Sequence, residues 1–129
     1  KVLFIGGTGL ISSACVELAV ARGMDVVLLN RGNAPRPVPE GVTVLQGDIR
    51  DKAAVARALG DMKFDVVAEF IAFTPEHIAT DLELFRGRTK QYIFISSASA
   101  YQTPPASWPA VESTPLRNPF WAYSRAKIA

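Results

Sequence analysis

Apolar positions along the chain follow two alternating rhythms. Nearly unbroken apolar runs occupy residues 2–5, 26–29, 42–45, 66–71 and 92–95, and they read as short strands covered on both faces. Helical spacing lies between most of them. Ile11, Ala14, Cys15 and Leu18 recur at i, i+3, i+4 and i+7 and predict a helix over about 10–22, with Gly23 as its stop. That stripe is the expected inner face, which makes Cys15 an expected core residue. Asp51 can cap a second helix that turns Val55, Ala58 and Leu59 inward. Thr74 caps and Pro75 opens a third, with Ile78, Leu82 and Phe85 on one face and Gly87 beyond its end. Asn118 and Pro119 start a last helix. Two stretches keep neither period: 30–41, stiffened by Pro35, Pro37 and Pro39, and the polar, proline-containing 102–118.

Strands alternating with helices predict a parallel sheet with right-handed crossovers. The natural solution is an α/β doubly wound sheet in the order 3-2-1-4-5, which binds ligands outside the carboxyl ends of its strands. The chemically distinctive residues fall there: Gly6 to Gly9, Asn30 and Arg31, Asp48, Phe70 to Phe73, and Ser96 to Ser99.

Composition narrows the classes. With 129 residues, 49% of them apolar and 20% charged, the chain suits one folded domain rather than a disordered segment. A net charge of +2 is too small to point to nucleic acid or a membrane surface. No apolar run reaches the roughly 20 residues of a membrane span. A lone cysteine rules out an internal disulfide. The first strand starts at once, without a signal peptide, so a cytoplasmic protein is the expectation. The chain starts without Met and stops inside a predicted helix. The N-terminal part of a longer protein is expected, a single dinucleotide-binding domain over 1–129 whose substrate-binding portion lies beyond it.

The candidate chemistry begins at Gly6-Gly7-Thr8-Gly9-Leu10-Ile11, between the first strand and first helix. Glycines let the backbone approach a pyrophosphate, and the free N–H groups of a helix N-terminus favour its charge. Ser12 stands where a third glycine is usual, and its small side chain should be tolerated. After the second strand, where an acid would hold a ribose 2′-hydroxyl, the chain has Asn30 and then Arg31. Asn does not repel a 2′-phosphate and Arg can pair with one, so NADP is expected over NAD. Asp48 stands where it could accept an adenine amine, with Ile49 against the ring. Tyr123 and Lys127 are i and i+4 on a helix and share a face. Phenols ordinarily titrate near 10, and a neighbouring ammonium favours the phenolate, giving an acid/base group.

Other chemistries are disfavoured. One histidine (His77, expected at the surface) and one cysteine make a zinc cluster improbable. Neither a nucleophile elbow nor a P-loop run occurs. Trp108 and Trp121 could line a substrate mouth, with loop anchoring the plainer role for Trp108 and packing for Trp121.

The chain resembles the extended short-chain dehydrogenase/reductases, in the NAD-dependent epimerase/dehydratase branch, over essentially its whole length. The resemblance rests on Gly6-Gly7-Thr8-Gly9, Gly47-Asp48, Ile95-Ser96-Ser97-Ala98-Ser99-Ala100-Tyr101, Glu112 with Pro115, and Tyr123-Ser124-Arg125-Ala126-Lys127. It implies a Rossmann fold and hydride transfer between a nicotinamide and a carbinol carbon of a small molecule, possibly a nucleotide sugar. It implies that Tyr123 is the general acid/base, that Lys127 binds the nicotinamide ribose, and that Ser97 bonds the reacting oxygen, with Ser99 as second choice. A dimer through the helices carrying Leu82 and Tyr123 is a family expectation. The chain departs from the family at Phe70-Ile71-Ala72-Phe73, bulkier than usual on the nicotinamide side. The serine loop also resembles chloroplast stem-loop RNA-binding proteins. A non-catalytic binding module, for RNA or as a cofactor sensor, is therefore the rival reading. The Tyr123–Lys127 pair and the scattered basic residues weigh against it.

Overall fold

The computed structural model describes residues 1–33 and 36–129, and Pro35 of the proline-stiffened loop lies outside them. Five strands, β1 (Val2–Ile5), β2 (Val26–Asn30), β3 (Thr43–Gln46), β4 (Phe64–Glu69) and β5 (Thr89–Phe94), form one parallel sheet. Their order is β3-β2-β1-β4-β5, as the alternation of elements predicts. The helices are α1 (Ser12–Ala21), α2 (Lys52–Leu59), α3 (Pro75–Phe85) and α4 (Ala122–Ile128), with a 3-10 turn at Ala98–Ala100. Among the described residues no helix is long and apolar enough to cross a membrane.

Strands β1 and β2 are central and apolar on both faces. Leu3, Ile5, Val27, Leu29 and Val67 pack against Val55 and Leu59 of α2 and Leu84 and Phe85 of α3. Phe4, Val26, Leu28 and Ala68 pack the other way, against Val16 and Ala19 of α1. Full burial of each such side chain contributes about 1.5–3 kcal/mol. Asp51 caps α2 as expected, its carboxylate accepting the Ala54 N–H at 3.0 Å. Pro75 opens α3, but Thr74 makes no side-chain cap there.

Three local expectations need correction. The inner face of α1 is Ser12, Ser13, Val16 and Ala19, while Ile11, Cys15 and Leu18 are exposed. The helix carries almost no polar marker, and the glycine turn brings its start so close to the sheet that small Ser12 and Ser13 must face inward. On α3 the buried residues are Asp81, Leu84 and Phe85, and Leu82 is exposed. Finally, β4 starts and ends two residues early. It stops at Glu69, level with Ile5 of β1 and Phe94 of β5, because a strand ends where its neighbours stop bonding it. Residues 70–73 thereby become a turn beside the glycine loop.

Candidate active site

Gly6 follows β1 with φ of +76°, and a Cβ there would lie 2.6 Å from Ile71 Cγ2. A Cβ on Gly7 would meet Leu28 at 2.6 Å, so that glycine lets α1 close onto β2. The Ser12 hydroxyl accepts the Gly9 N–H at 2.9 Å and donates to the Gly6 carbonyl at 2.7 Å. The sequence assigns Ser12 only its size, yet its hydroxyl braces the turn. A serine three residues after the last turn glycine is the signal for such local bonding. The amides of Leu10 and Ile11, just before α1, have no helical carbonyl preceding them to bond.

Two cavities meet at this turn, both touching Gly6, Gly9 and Ile71. The first, of about 270 Å³, runs past Leu10, Ile11 and Phe70 to Ser96, Tyr123 and Lys127. The second, of about 200 Å³, runs past Thr8 to Asn30, Arg31, Asp48 and Ile49. Gly7 and Ala72 line neither. Gly7 serves packing, and Ala72 is buried with its carbonyl turned to Lys127.

At the second cavity, Asn30 Oδ1 accepts the Gly32 N–H at 2.9 Å, so this side chain shapes its own turn. The Asp48 carboxylate likewise accepts the Arg50 N–H at 3.0 Å. Ile49 belongs to the core and shows the cavity only an edge.

At the first cavity, Lys127 Nζ donates to the Ala72 carbonyl at 2.6 Å and the Ile95 carbonyl at 2.8 Å. It lies 4.4 Å from the Phe94 ring centroid and 5.2 Å from that of Phe73. Burial lowers its pKa below that of ordinary lysines, and the nearby Glu69 opposes the shift. Half-buried Tyr123 stands between Phe73 and Trp121, with ring centroids at 6.1 and 4.7 Å. Trp121 and Trp108 are both largely exposed rather than packed away. His77 is half-buried, and its Nδ1 accepts the Phe73 N–H at 3.0 Å.

Ser96 lines the chamber with Tyr123, whereas the Ser97 hydroxyl contacts that of Ser99 at 2.7 Å. Ser99 accepts in turn from the buried Ser124 hydroxyl at 2.8 Å. A chain of three hydroxyls therefore ties the serine loop to α4. Asn118 adds a bond to the Ser99 carbonyl at 2.8 Å, and its Oδ1 accepts the Phe120 and Trp121 amides, so α4 itself starts later, at Ala122.

One cluster has no counterpart in the sequence reading. Glu69, the last residue of β4, and Asp81 of α3 are both fully buried. Tyr92 of β5 donates to Asp81 Oδ2 at 2.7 Å, and the Ile71 N–H donates to Glu69 Oε1. Glu69 Oε2 and Asp81 Oδ1 have no hydrogen-bond partner among the described residues. A proton shared between the two carboxyls would satisfy both orphans. Burial, then the charge of Asp81, pushes Glu69 up to about 8, and burial raises Asp81 as well. Tyr92 moves up too, by burial and by its bond to Asp81. A single acid within the apolar run 66–71 was the available signal.

The family model described as the NAD dependent epimerase/dehydratase family matches residues 2–129. The chain belongs to that family. It is 33% identical over 147 residues to a UDP-glucose 4-epimerase of Lactobacillus helveticus, covering 99% of this chain and 44% of that protein. A Thermus thermophilus UDP-glucose 4-epimerase solved as a complex with NAD superposes with a TM-score of 0.81 at 28% identity, covering 98% of this chain and 47% of that one. The chloroplast stem-loop binding protein of 41 kDa b of Arabidopsis thaliana is 30% identical over 114 residues, covering 78% of this chain and 30% of that protein. The chain thus spans less than half the length of each of these three relatives. Its glycine turn, Ser96 and the Tyr123–Lys127 helix face one cavity at the carboxyl ends of the strands.

Proposed function

We propose that this chain is the dinucleotide-binding part of an NAD-dependent enzyme that interconverts hydroxyl and carbonyl forms of a nucleotide-sugar substrate. The observation that carries the reading is the pair of cavities joined at the glycine turn, one ending on Tyr123 and Lys127. The residues fit the cofactor. Gly6 and Gly9 line both cavities without side chains, and the amides at the entry to α1 offer donors to a pyrophosphate. Thr8, Arg31, Asp48 and Ile49 would hold the adenosine half, and Phe70, Ile71 and Lys127 the nicotinamide half. Bound NAD would supply a reversible hydride acceptor for the substrate carbon. Tyr123 would take and return the proton of the substrate hydroxyl. Lys127 would keep positive charge beside that phenol, and Ser97 would bond the same oxygen once its hydroxyl leaves Ser99.

The dinucleotide proposed is NAD. The Thermus relative was solved with NAD, and the NADP preference expected from Asn30 and Arg31 finds no support among the relatives. Asn30 is moreover engaged in its own turn. An RNA-binding role, suggested by the chloroplast relative, leaves the Tyr123–Lys127 chamber without a purpose. Calorimetric titration of the full-length protein with NAD and NADP tests the reading. Micromolar binding of NAD, tighter than NADP, is expected. Absence of binding by either at millimolar concentration would refute it.

A further inference from the structure

Lys127 rests on two carbonyls, those of Ala72 and Ile95. Both of those peptide segments are fastened to Glu69. Its side-chain Oε1 accepts the N–H of Ile71, next in the chain to Ala72. Its main-chain carbonyl accepts the N–H of Ile95 at 3.1 Å. Its other carboxyl oxygen, Oε2, is buried and unpartnered like Oδ1 of Asp81, the neighbouring carboxyl that Tyr92 holds through a 2.7 Å bond. We propose that the Glu69–Asp81–Tyr92 network is a strut that sets the seat of Lys127, with Glu69 as a positioning residue for the reaction. The inference deepens the proposed function, because it gives Lys127 its geometry within the same site.

The chemistry of the pair suits this task. Two buried carboxylates would repel each other and push the strut apart, whereas one shared proton makes them a clamp. The other charged groups facing the pair are Arg50 from the loop after β3, His77 from α3 and Lys127 from α4. Arg50 also donates to the Ile71 carbonyl, so the turn carrying Ala72 is held at both its N–H and its C=O.

The test follows the Lys127 ammonium directly, by NMR of its Nζ protons in the full-length protein, with the signal assigned through Lys127→Arg. An ammonium held on two carbonyls exchanges its protons slowly with water. Glu69→Gln keeps an acceptor for Ile71 and offers an amide to Asp81, so exchange should stay near that of the unaltered protein. Glu69→Leu fills the space without an acceptor and should speed exchange about tenfold or more, with weaker NAD binding that the Gln variant restores. A folded Leu variant with unchanged exchange would overturn the proposal. If that variant does not fold, Tyr92→Phe makes the milder cut; faster exchange there supports the strut, and unchanged exchange refutes it. Failure of the unaltered protein to bind NAD would sink the functional reading instead, since the exchange measurement needs no cofactor.

Discussion

Replacing Glu69 with Gln should flatten the dependence of stability on pH. Glu69 is fully buried, with its pKa raised from 4.5 to about 8 by desolvation and then by the charge of Asp81. A raised acid pKa means that the folded state binds the proton more tightly than the unfolded chain does. Stability from this group is therefore complete below about 4.5 and falls as pH climbs through about 8. The slope approaches about 1.4 kcal/mol per pH unit, and the whole loss comes to roughly 3–5 kcal/mol. Asp81 is shifted the same way and adds to the fall. Gln cannot ionise, so the variant should lose less than half as much stability between pH 5 and 9. Urea unfolding at intervals across that range measures both curves. Parallel curves for the two proteins would show that Glu69 is ionised in the fold and that no proton is shared.

Further outcomes follow from the turn and the acid/base helix. Gly6→Ala puts a Cβ 2.6 Å from Ile71 at a positive φ and should cost about 1–3 kcal/mol on thermal unfolding, with dinucleotide binding lost in calorimetry. Ser12→Ala leaves the Gly6 carbonyl and Gly9 N–H without their brace and should destabilise by about 1–3 kcal/mol; a smaller effect would mean that water replaces the hydroxyl. Tyr123→Phe should lower turnover by about 100-fold or more while NAD affinity stays within a few-fold, as steady-state kinetics and calorimetry would show. Equal turnover in that variant would remove Tyr123 from its proposed role.

Much of the architecture was legible because strand cores and turn glycines are local signals. The runs around Leu3 and Leu28 could only be covered strands, and Gly6-Gly7-Thr8-Gly9 could only join one to a helix. The inner face of α1 was not legible. Ile11, Cys15 and Leu18 satisfy the same period as Val16 and Ala19, and only the closeness of the turn to the sheet selects the second set. Asp81 was missed for a different reason. A helical pattern treats an acid as outward, and here its partners arrive from β4 and β5. The same non-local pairing hid Glu69, one acid within the apolar run 66–71. Placing Tyr123 beside Lys127 needed only their spacing, whereas the two carbonyls beneath Lys127 required the register of β4 on β5.

Among the described residues β5 is bonded to β4 alone, as β3 is to β2 at the other side of the sheet. Lys127 reaches across the ends of β4 and β5, taking a carbonyl from the turn after each. A slip of β5 by one residue would pull those carbonyls apart and leave a buried ammonium stranded. The lysine thus acts as a proofreader of strand alignment: a misregistered sheet cannot seat it. Loss of β5 and loss of the α4 helix should then be a single opening event, visible as matched amide-exchange rates in β5 and α4.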